Sequence, residues 1–506
     1  MAVKKEIKAE NPYSLTSRTG QIENYRVFYP DDINSNQSWN IKKAQMTTQG
    51  ITGNSVVGNG IIQTIVDGTI GSGLSCEPQI DVRFLQEVGI DSAQIDEIQD
   101  KIETMFRIWM NDPEMCDYYK QSNFDELARQ GLAETTALGE MFAYITIRKH
   151  KSGYYFPLVQ LISPLMVSSP NDCDSGNIQS GVEVNEKGQV VAYYVKVVKP
   201  GEIVASEWVR IPKYSKNGRL QFIHLKGLSE FPNQLRGTSV LKALVEDLVQ
   251  IDRFNNANLT KAELQASIAW SAESELGVDE EKSGSLIDEF KKQANFTADV
   301  PESPREPQTI KPGVMIEPKP GVHMKMIEST APTQNYWDFV QGNLKLMSGA
   351  RIASPEKNTK SYLASYSASQ ASMQESQRVF DIWKNISAKG FWSICYEQFI
   401  FCLVTQDLIS LPHFFDSYFF KKAWSVCRWF GSALVHNDPV KAIKASLLAI
   451  QGGLSTPEKE TRKLYGDSWL STIKTLAKDQ KIIKEYGVSV SIGNQEESNE
   501  ESDNAE

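Results

Sequence analysis

Six prolines fall within twenty residues of this 506-residue chain, at positions 301, 304, 307, 312, 318 and 320. Each removes a backbone donor and blocks helix, so the segment reads as loop or edge strand. Its flanks make this a strong constraint. Before it, Thr238 to Ala269 reads as one long helix. Ser239 is placed to cap its start, and Leu241, Leu244, Val245, Leu248 and Ile251 form a continuous apolar stripe. Leu276 to Asn295 reads as a short helix of mixed charge. After the prolines, Thr333 to Ala353 is helical again, and Ser354 to Ser365 is a polar loop. Ser367 to Val404 is the longest helical pattern; its 38 residues would span about 57 Å at 1.5 Å per residue. Gly390 offers a break within it.

The first half of the chain differs in character. Residues 1–45 are polar and read as loosely ordered. Residues 51–75 are rich in glycine, with a short helix over Gly60 to Val66. Ile95, Ile98, Ile102, Met105, Phe106 and Trp109 recur at helical steps over residues 92–110, and Phe124 to Gly139 gives a second helix. Met141 to Ile147, Tyr155 to Ile162 and Leu220 to Leu225 read as strands. Gly181 to Val198 is a hairpin around Asn185-Glu186-Lys187-Gly188. Near the C-terminus, Pro439 to Gln451 and Pro457 to Leu464 read as short helices. From Gly487 onward there are six acids and no Lys or Arg, which predicts disorder. The fold class expected is α+β.

Composition narrows function mainly by exclusion. At 41% hydrophobic and 23% charged residues the chain is globular rather than disordered or fibrous. A net charge of −10 argues against a broad surface that grips nucleic-acid phosphates. The six cysteines lack CxxC spacing and the five histidines form no HExxH, so no metal site is expected and the thiols read as reduced. The N-terminus lacks an apolar signal core. The most apolar run, Phe391 to Val404, carries Glu397 and is too short for a span, so no membrane segment is expected.

Catalytic patterns are missing too. The glycines at 68–75 have no lysine for a GxxxxGK[ST] loop, and neither GxGxxG nor GxSxG occurs. No enzyme activity and no cofactor is expected. Two aromatic stretches, Phe414 to Phe420 and Trp424 with Trp429 and Phe430, lie near Lys421, Lys422 and Arg428. They fit core or subunit interface better than base stacking.

Several stretches taken together resemble the lambda-type portal proteins of tailed bacteriophages. NGIIQTIVDGTIGSGL resembles the family's short helix and GSGL turn. Trp109, Cys116-Asp117, Phe124 and Gly139-Glu140 match its W…CD…F…GE stretch, and SGVEVNEKGQVVAYYV its GVE hairpin. Ile223-His224, Gln234, Arg236-Gly237 and Ser239 match its IH…QxRG stretch. PGVMIEPKPG, YSASQAS at 366–372, DPVKAIKA, GLST and YGDSW follow in the family's order. Gln370 stands where the family has arginine, Ala442 where it has glutamate, and FPNQ where it has RPGQ.

The resemblance implies a portal fold: a mixed α/β wing, two stem helices flanking a small α/β clip, a long helix after a tunnel loop, and a helical crown. The boundaries implied are an N-terminal arm at 1–45, wing at 46–237, first stem helix at 238–265, clip at 266–331 and second stem helix at 332–353. The tunnel loop follows at 354–366, then the long wing helix and aromatic region at 367–436, the crown at 437–486 and an acidic tail at 487–506. It implies a ring, usually of twelve copies, at one capsid vertex. DNA is pumped through its channel by a terminase, and the ring later joins the tail and releases DNA. Partners implied are further copies of the chain, the large terminase subunit, the major capsid protein, head-tail adaptors and double-stranded DNA.

On that reading Lys357, Asn358, Thr359, Lys360 and Ser361 belong to the channel. The apolar stripe packs the stem. Glu273, Glu275, Glu280, Glu281, Asp288 and Glu289 belong to an acidic clip that docks terminase; from Glu273 to Glu328 there are 12 acids and 7 bases. The stem stripe and the aromatic C-terminal region are the candidates for subunit contact. The acidic balance then has a reason, because DNA must slide and tight phosphate neutralisation would act as a brake. The alternatives are a head-completion adaptor or scaffold without a channel, and a packaging ATPase or nuclease. The missing Walker loop argues against an ATPase.

Overall fold

In a computed structural model, the described residues are 35–198, 207–230, 232–267, 270–274, 322–326, 336–361, 365–431, 439–466 and 469–486. The chain divides into two compact units, Met1–Val245 with Met347–Glu506, and Glu246–Leu346.

The larger unit opens with two helices, α1 (Ser35–Asn54) and α2 (Val56–Ile70). α1 corrects part of the expectation for residues 1–45. Its polar surface hides two deeply buried residues, Thr48 and Gln45, and the Gln45 amide is held by the body of the protein. The Ser55 hydroxyl caps α2 by accepting from Gly58 N, and α2 is longer than the glycines suggest because Ile61, Ile62, Ile65 and Ile70 are all buried. Strand β1 (Ser75–Pro78) and helices α3 (Val82–Gln86), α4 (Ser92–Asn111), α5 (Pro113–Cys116) and α6 (Phe124–Leu138) follow. α6 begins at a capping box, Asn123 with Glu126, and ends at Gly139 in the left-handed region.

Strands β2 (Glu140–Lys149) and β3 (Tyr155–Ile162) then form an antiparallel pair. Strands β4 (Ile178–Gln179), β5 (Val182–Val184), β6 (Val190–Val197) and β7 (Glu207–Pro212) make a four-stranded antiparallel sheet in chain order. Strand β8 (Phe222–Lys226) joins β2, giving a second sheet ordered β3-β2-β8. A cluster of Phe142, Ile162, Val167, Val182, Tyr193, Val195 and Phe222 forms a core shared by these two sheets.

The helix expected from Thr238 starts later. Thr238 N donates to Leu228 O and Val240 N to Thr136 O, so these residues pair as extended chain. Ser239 Oγ accepts from Leu241 N ahead of a 3₁₀ turn, Lys242–Leu244. Helix α7 (Val245–Ser267) then runs on. Within the smaller unit, strands β9 (Trp270–Ser274) and β10 (Val322–Met326) pair antiparallel. Helix α8 (Tyr336–Met347) meets α7 through Phe254, whose ring lies 4.5 Å from Phe339, and through Tyr336 Oη, which donates to Asn255 Oδ1 at 2.7 Å. The helix expected at 276–295 and the proline run lie outside the described residues.

Back in the larger unit, the expected loop contains a short helix, α9 (Pro355–Thr359). The long pattern is one continuous helical run: α10 (Tyr366–Ser387), a π turn (Ala388–Trp392) and α11 (Ser393–Thr405). Gly390 does not divide it. A Cβ there would stand 2.3 Å from Leu225 Cδ1, so the glycine admits β8 against the helix, and the run accommodates one π turn at this point. Helix α12 (Tyr418–Trp424) and strand β11 (Cys427–Phe430) follow, with β11 antiparallel to β1. Phe106, Trp109, Phe124, Tyr396, Phe399 and Trp429 pack ring on ring, with centroids 4.9–6.5 Å apart, tying α4, α6, α11 and β11 together. Each such buried side chain contributes about 1.5–3 kcal/mol of transfer free energy. The chain closes with α13 (Pro439–Gln451), α14 (Pro457–Tyr465) and α15 (Trp469–Glu485).

Candidate functional site

The segment expected to be a free polar loop is firmly mounted. Pro355 starts α9 and Lys360 ends it at φ 55°, in the left-handed region. Ser354 N donates to Ser376 Oγ at 3.0 Å, and Ser372 Oγ donates to Glu356 Oε2 at 2.7 Å, which fastens the segment to α10. Asn358 Nδ2 donates to Ala353 O at 2.8 Å, Thr359 Oγ1 to Pro355 O at 2.8 Å, and Ser361 N to Glu356 O at 3.2 Å. Asn358 and Thr359 thus serve the local backbone. Lys357 is half-buried and Lys360 exposed, and neither makes an ion pair among the described residues. Arg351, also exposed and at φ 53°, precedes the same helix. It was missed because it sits in what reads as the end of the preceding helix.

The five stripe residues, Leu241, Leu244, Val245, Leu248 and Ile251, are at most 5% exposed. They are taken up within the chain, so the stripe does not offer an exposed contact surface. Glu273 lies on β9. Glu275, Glu280, Glu281, Asp288 and Glu289 lie outside the described residues.

What composition and periodicity did not reveal is a buried charge cluster in the larger unit. Glu140, at the start of β2, is fully buried. Its Oε1 accepts from Arg236 Nε at 2.6 Å and from Gln45 Nε2 at 2.8 Å. Its Oε2 accepts from Gly237 N at 2.7 Å and faces His224 Nε2 at 2.8 Å. Arg236 also donates to the carbonyls of Pro164, Val167 and Ser180. Burial pushes the Glu140 carboxyl up, but Arg236, His224 and the Gly237 amide outweigh it and leave it at about 2. Burial lowers His224, partly offset by Glu140. A neutral His224 donating through Nε2 to Glu140 and accepting at Nδ1 from Tyr193 Oη, 3.4 Å away, satisfies both groups. Gly237 has no room for a side chain, since a Cβ would stand 2.0 Å from Gly139 O.

Other family-like positions also prove architectural. Asp117, buried, accepts from the amides of Tyr119, Gln121 and Ser122, and Trp109 Nε1 donates to Pro157 O. Among the described residues no group of acids, His and Cys is arranged to hold a metal ion, and no helix is long and apolar enough to cross a membrane.

Comparisons with known proteins identify relatives. A model of the family described as phage portal protein, lambda family, matches residues 32–384. Portal protein B of Escherichia phage lambda is 26% identical over 422 residues, 80% of this chain and 77% of that protein. The portal protein of Escherichia phage N15 is 26% identical over 360 residues, 69% of this chain and 68% of that protein. Among solved structures, a chain of the virion of a native gene transfer agent particle is 12% identical, with a TM-score of 0.43 over 83% of this chain and 92% of that one. A chain of the neck of the same kind of particle, computed with C12 symmetry, is 12% identical, with a TM-score of 0.42 over 86% and 93%.

Proposed function

The chain belongs to the lambda family of phage portal proteins, and we propose from that premise that it closes into a ring at one capsid vertex and forms the channel for genomic DNA. The observation that carries this is the family match over residues 32–384, which spans both the Glu140–Arg236 cluster and the segment around Lys357. DNA enters through the ring during packaging and leaves through it on ejection; the ring also joins head to tail. No catalytic step is assigned to the chain. The assignments by segment are wing 46–237, stem helices 238–265 and 332–353, clip 266–331, tunnel segment 354–366, and crown 437–486. The native mass of the purified protein tests the reading. Twelve copies of 56.8 kDa give about 680 kDa, with rings visible in electron micrographs, as closed head-to-tail assembly requires. A protein that remains monomeric both alone and with its capsid and terminase partners removes the proposal.

Lys357 and Lys360 are the proposed contacts to passing DNA. Two cations per subunit that make no ion pair among the described residues, held on a mounted helix, suit transient phosphate contact without a brake. Replacing both with alanine is expected to leave the ring intact and to lower the yield of DNA-filled particles roughly tenfold, because the phosphate contacts are lost. Unchanged packaging and DNA retention would refute the assignment. The acidic clip residues, Glu273 to Glu289, are proposed to dock a basic face of the large terminase subunit. That complex should weaken steadily with added salt, and a salt-insensitive complex contradicts it. The major capsid protein and head-tail adaptors are the remaining partners, and the mature location is the virion.

A further inference from the structure

Among the described residues, two groups of apolar side chains in the larger unit stand exposed. The first is α13. None of its thirteen residues is buried, although Val440, Ile443, Leu447 and Leu448 recur at helical steps and are 40–68% exposed. Leu454, just beyond, is more exposed still. An isolated helix of this length is marginal in water, and an apolar stripe normally faces a partner. Ser446 Oγ, donating to Glu460 Oε2 at 2.8 Å, ties α13 to α14 but covers none of the stripe.

The second surface is aromatic. Phe415, Tyr418 and Phe419 are 63–72% exposed within five residues. They are rigidly presented. Phe414 beneath them is buried and lies 5.1 Å from Phe415. Ser417 Oγ caps α12 by accepting from Phe419 N, and Trp424 Nε1 donates to Pro412 O at 3.0 Å. Held aromatics lose little entropy on binding and are the commonest interface anchors.

We infer that these two surfaces are the two halves of one contact, the aromatic group of one subunit seating on the α13 stripe of its neighbour. The inference rests on the ring reading above. A head-to-tail contact needs two different, mutually fitting patches on each copy, whereas a two-fold contact needs a single self-complementary one. Here one patch is aromatic and projects from a capped turn, and the other is aliphatic. The charges beside the aromatic group are mixed, with Asp416 paired to His413 at 2.6 Å, and those along the stripe are basic. Residues 406–418 hold Asp407 and Asp416 with no Lys or Arg, and residues 439–455 hold Lys441 and Lys444 with no acid. Lys421 and Lys422, next to the aromatic group, share the single carboxylate of Glu397 at 2.9 and 2.5 Å, and Lys422 Nζ lies 5.5 Å from the centre of the Tyr418 ring.

The test uses the full chain. Phe419→Asp and Leu447→Asp change exposed residues only, so far-UV circular dichroism should not change, while the ring fraction by native mass should fall at least tenfold in each. A photo-crosslinking phenylalanine analogue at position 419, in rings mixed from isotopically light and heavy chains, should join residues 440–454 of a different copy. Rings that survive both substitutions, or crosslinks that land elsewhere, overturn this contact and leave the portal reading standing. An unsubstituted chain that never exceeds monomer mass overturns both.

Discussion

Arg236→Ala is expected to destabilise the larger unit by about 3–5 kcal/mol, the usual cost of removing one partner from a buried ion pair. Glu140 is fully buried and would keep its charge with only Gln45, His224 and the Gly237 amide to satisfy it. The carbonyls of Pro164, Val167 and Ser180 would lose their donor as well. The pH dependence separates this from simple loss of packing. In the intact protein Glu140 sits at about 2 against an ordinary 4.5, so its contribution is present above the unfolded value and drains away from about pH 5 down to pH 2. His224 is also lowered, so its protonation opposes folding from its ordinary 6.5 downward. Both signs make the native protein lose stability on acidification. Without Arg236 the Glu140 pKa rises and much of its part of that dependence should vanish. Denaturant unfolding between pH 2 and 8 measures both effects. A loss below about 1 kcal/mol at pH 7 would show that the cluster is solvated in solution and does not hold the sheets together.

The parts of the fold that were legible from the sequence are those in which neighbours in sequence are neighbours in space. α4, α6, the β2–β3 pair and the β5–β6 hairpin follow from periodicity and from turn residues such as Asn185 and Gly188. What was not legible depends on distant contact. β1 pairs with β11 more than three hundred residues away, and neither four-residue strand carries a pattern long enough to recognise. Gly390 read as a helix breaker because nothing local says that Leu225 must pass there. Gln45 read as part of a loose polar arm because its buried partner, Glu140, is 95 residues further on.

The site divides in the same way. Lys357 and Lys360 were found as cations in a polar stretch, but the mount that holds them depends on Ser372 and Ser376 from the following helix. Glu140, His224, Arg236 and Gly237 stand out in the sequence only as matching positions. Their role is steric and electrostatic at once: Gly237 lets the chain pass against Gly139 while its amide and the Arg236 side chain neutralise one carboxylate. This gives a physical reason for those residue types at those positions. It also places Glu140 and Arg236 in the buried interior of the larger unit.

A second buried arginine governs the C-terminal helices, and there the sign of the pH effect is reversed. Arg462 on α14 is 3% exposed by side chain and faces three carboxylates: Glu458 at 2.6 Å, Glu103 on α4 at 3.2 Å and Glu77 on β1 at 3.9 Å. Its guanidinium also lies 5.3 Å from the centre of the Phe430 ring. Burial already raises Glu77, with Arg462 the main opposing influence. Arg462→Ala would therefore leave a partly buried group of like charges, and α14 should separate from α4 and β1 at a cost of about 3–5 kcal/mol. Hydrogen exchange should quicken in residues 457–485 and in β1 while β2 and β3 keep their protection, because they are held by the separate sheet core. In the variant Glu77 keeps the raised carboxyl that burial gives it and loses its main opposing influence, so its protonation favours the docked state: docking should be weakest at pH 8 and recover as the pH falls toward 5. Exchange that quickens equally across the whole larger unit would instead make Arg462 part of the global core. Exchange that does not change with pH would mean that the acids are solvated and that Arg462 acts by packing on Phe430 alone.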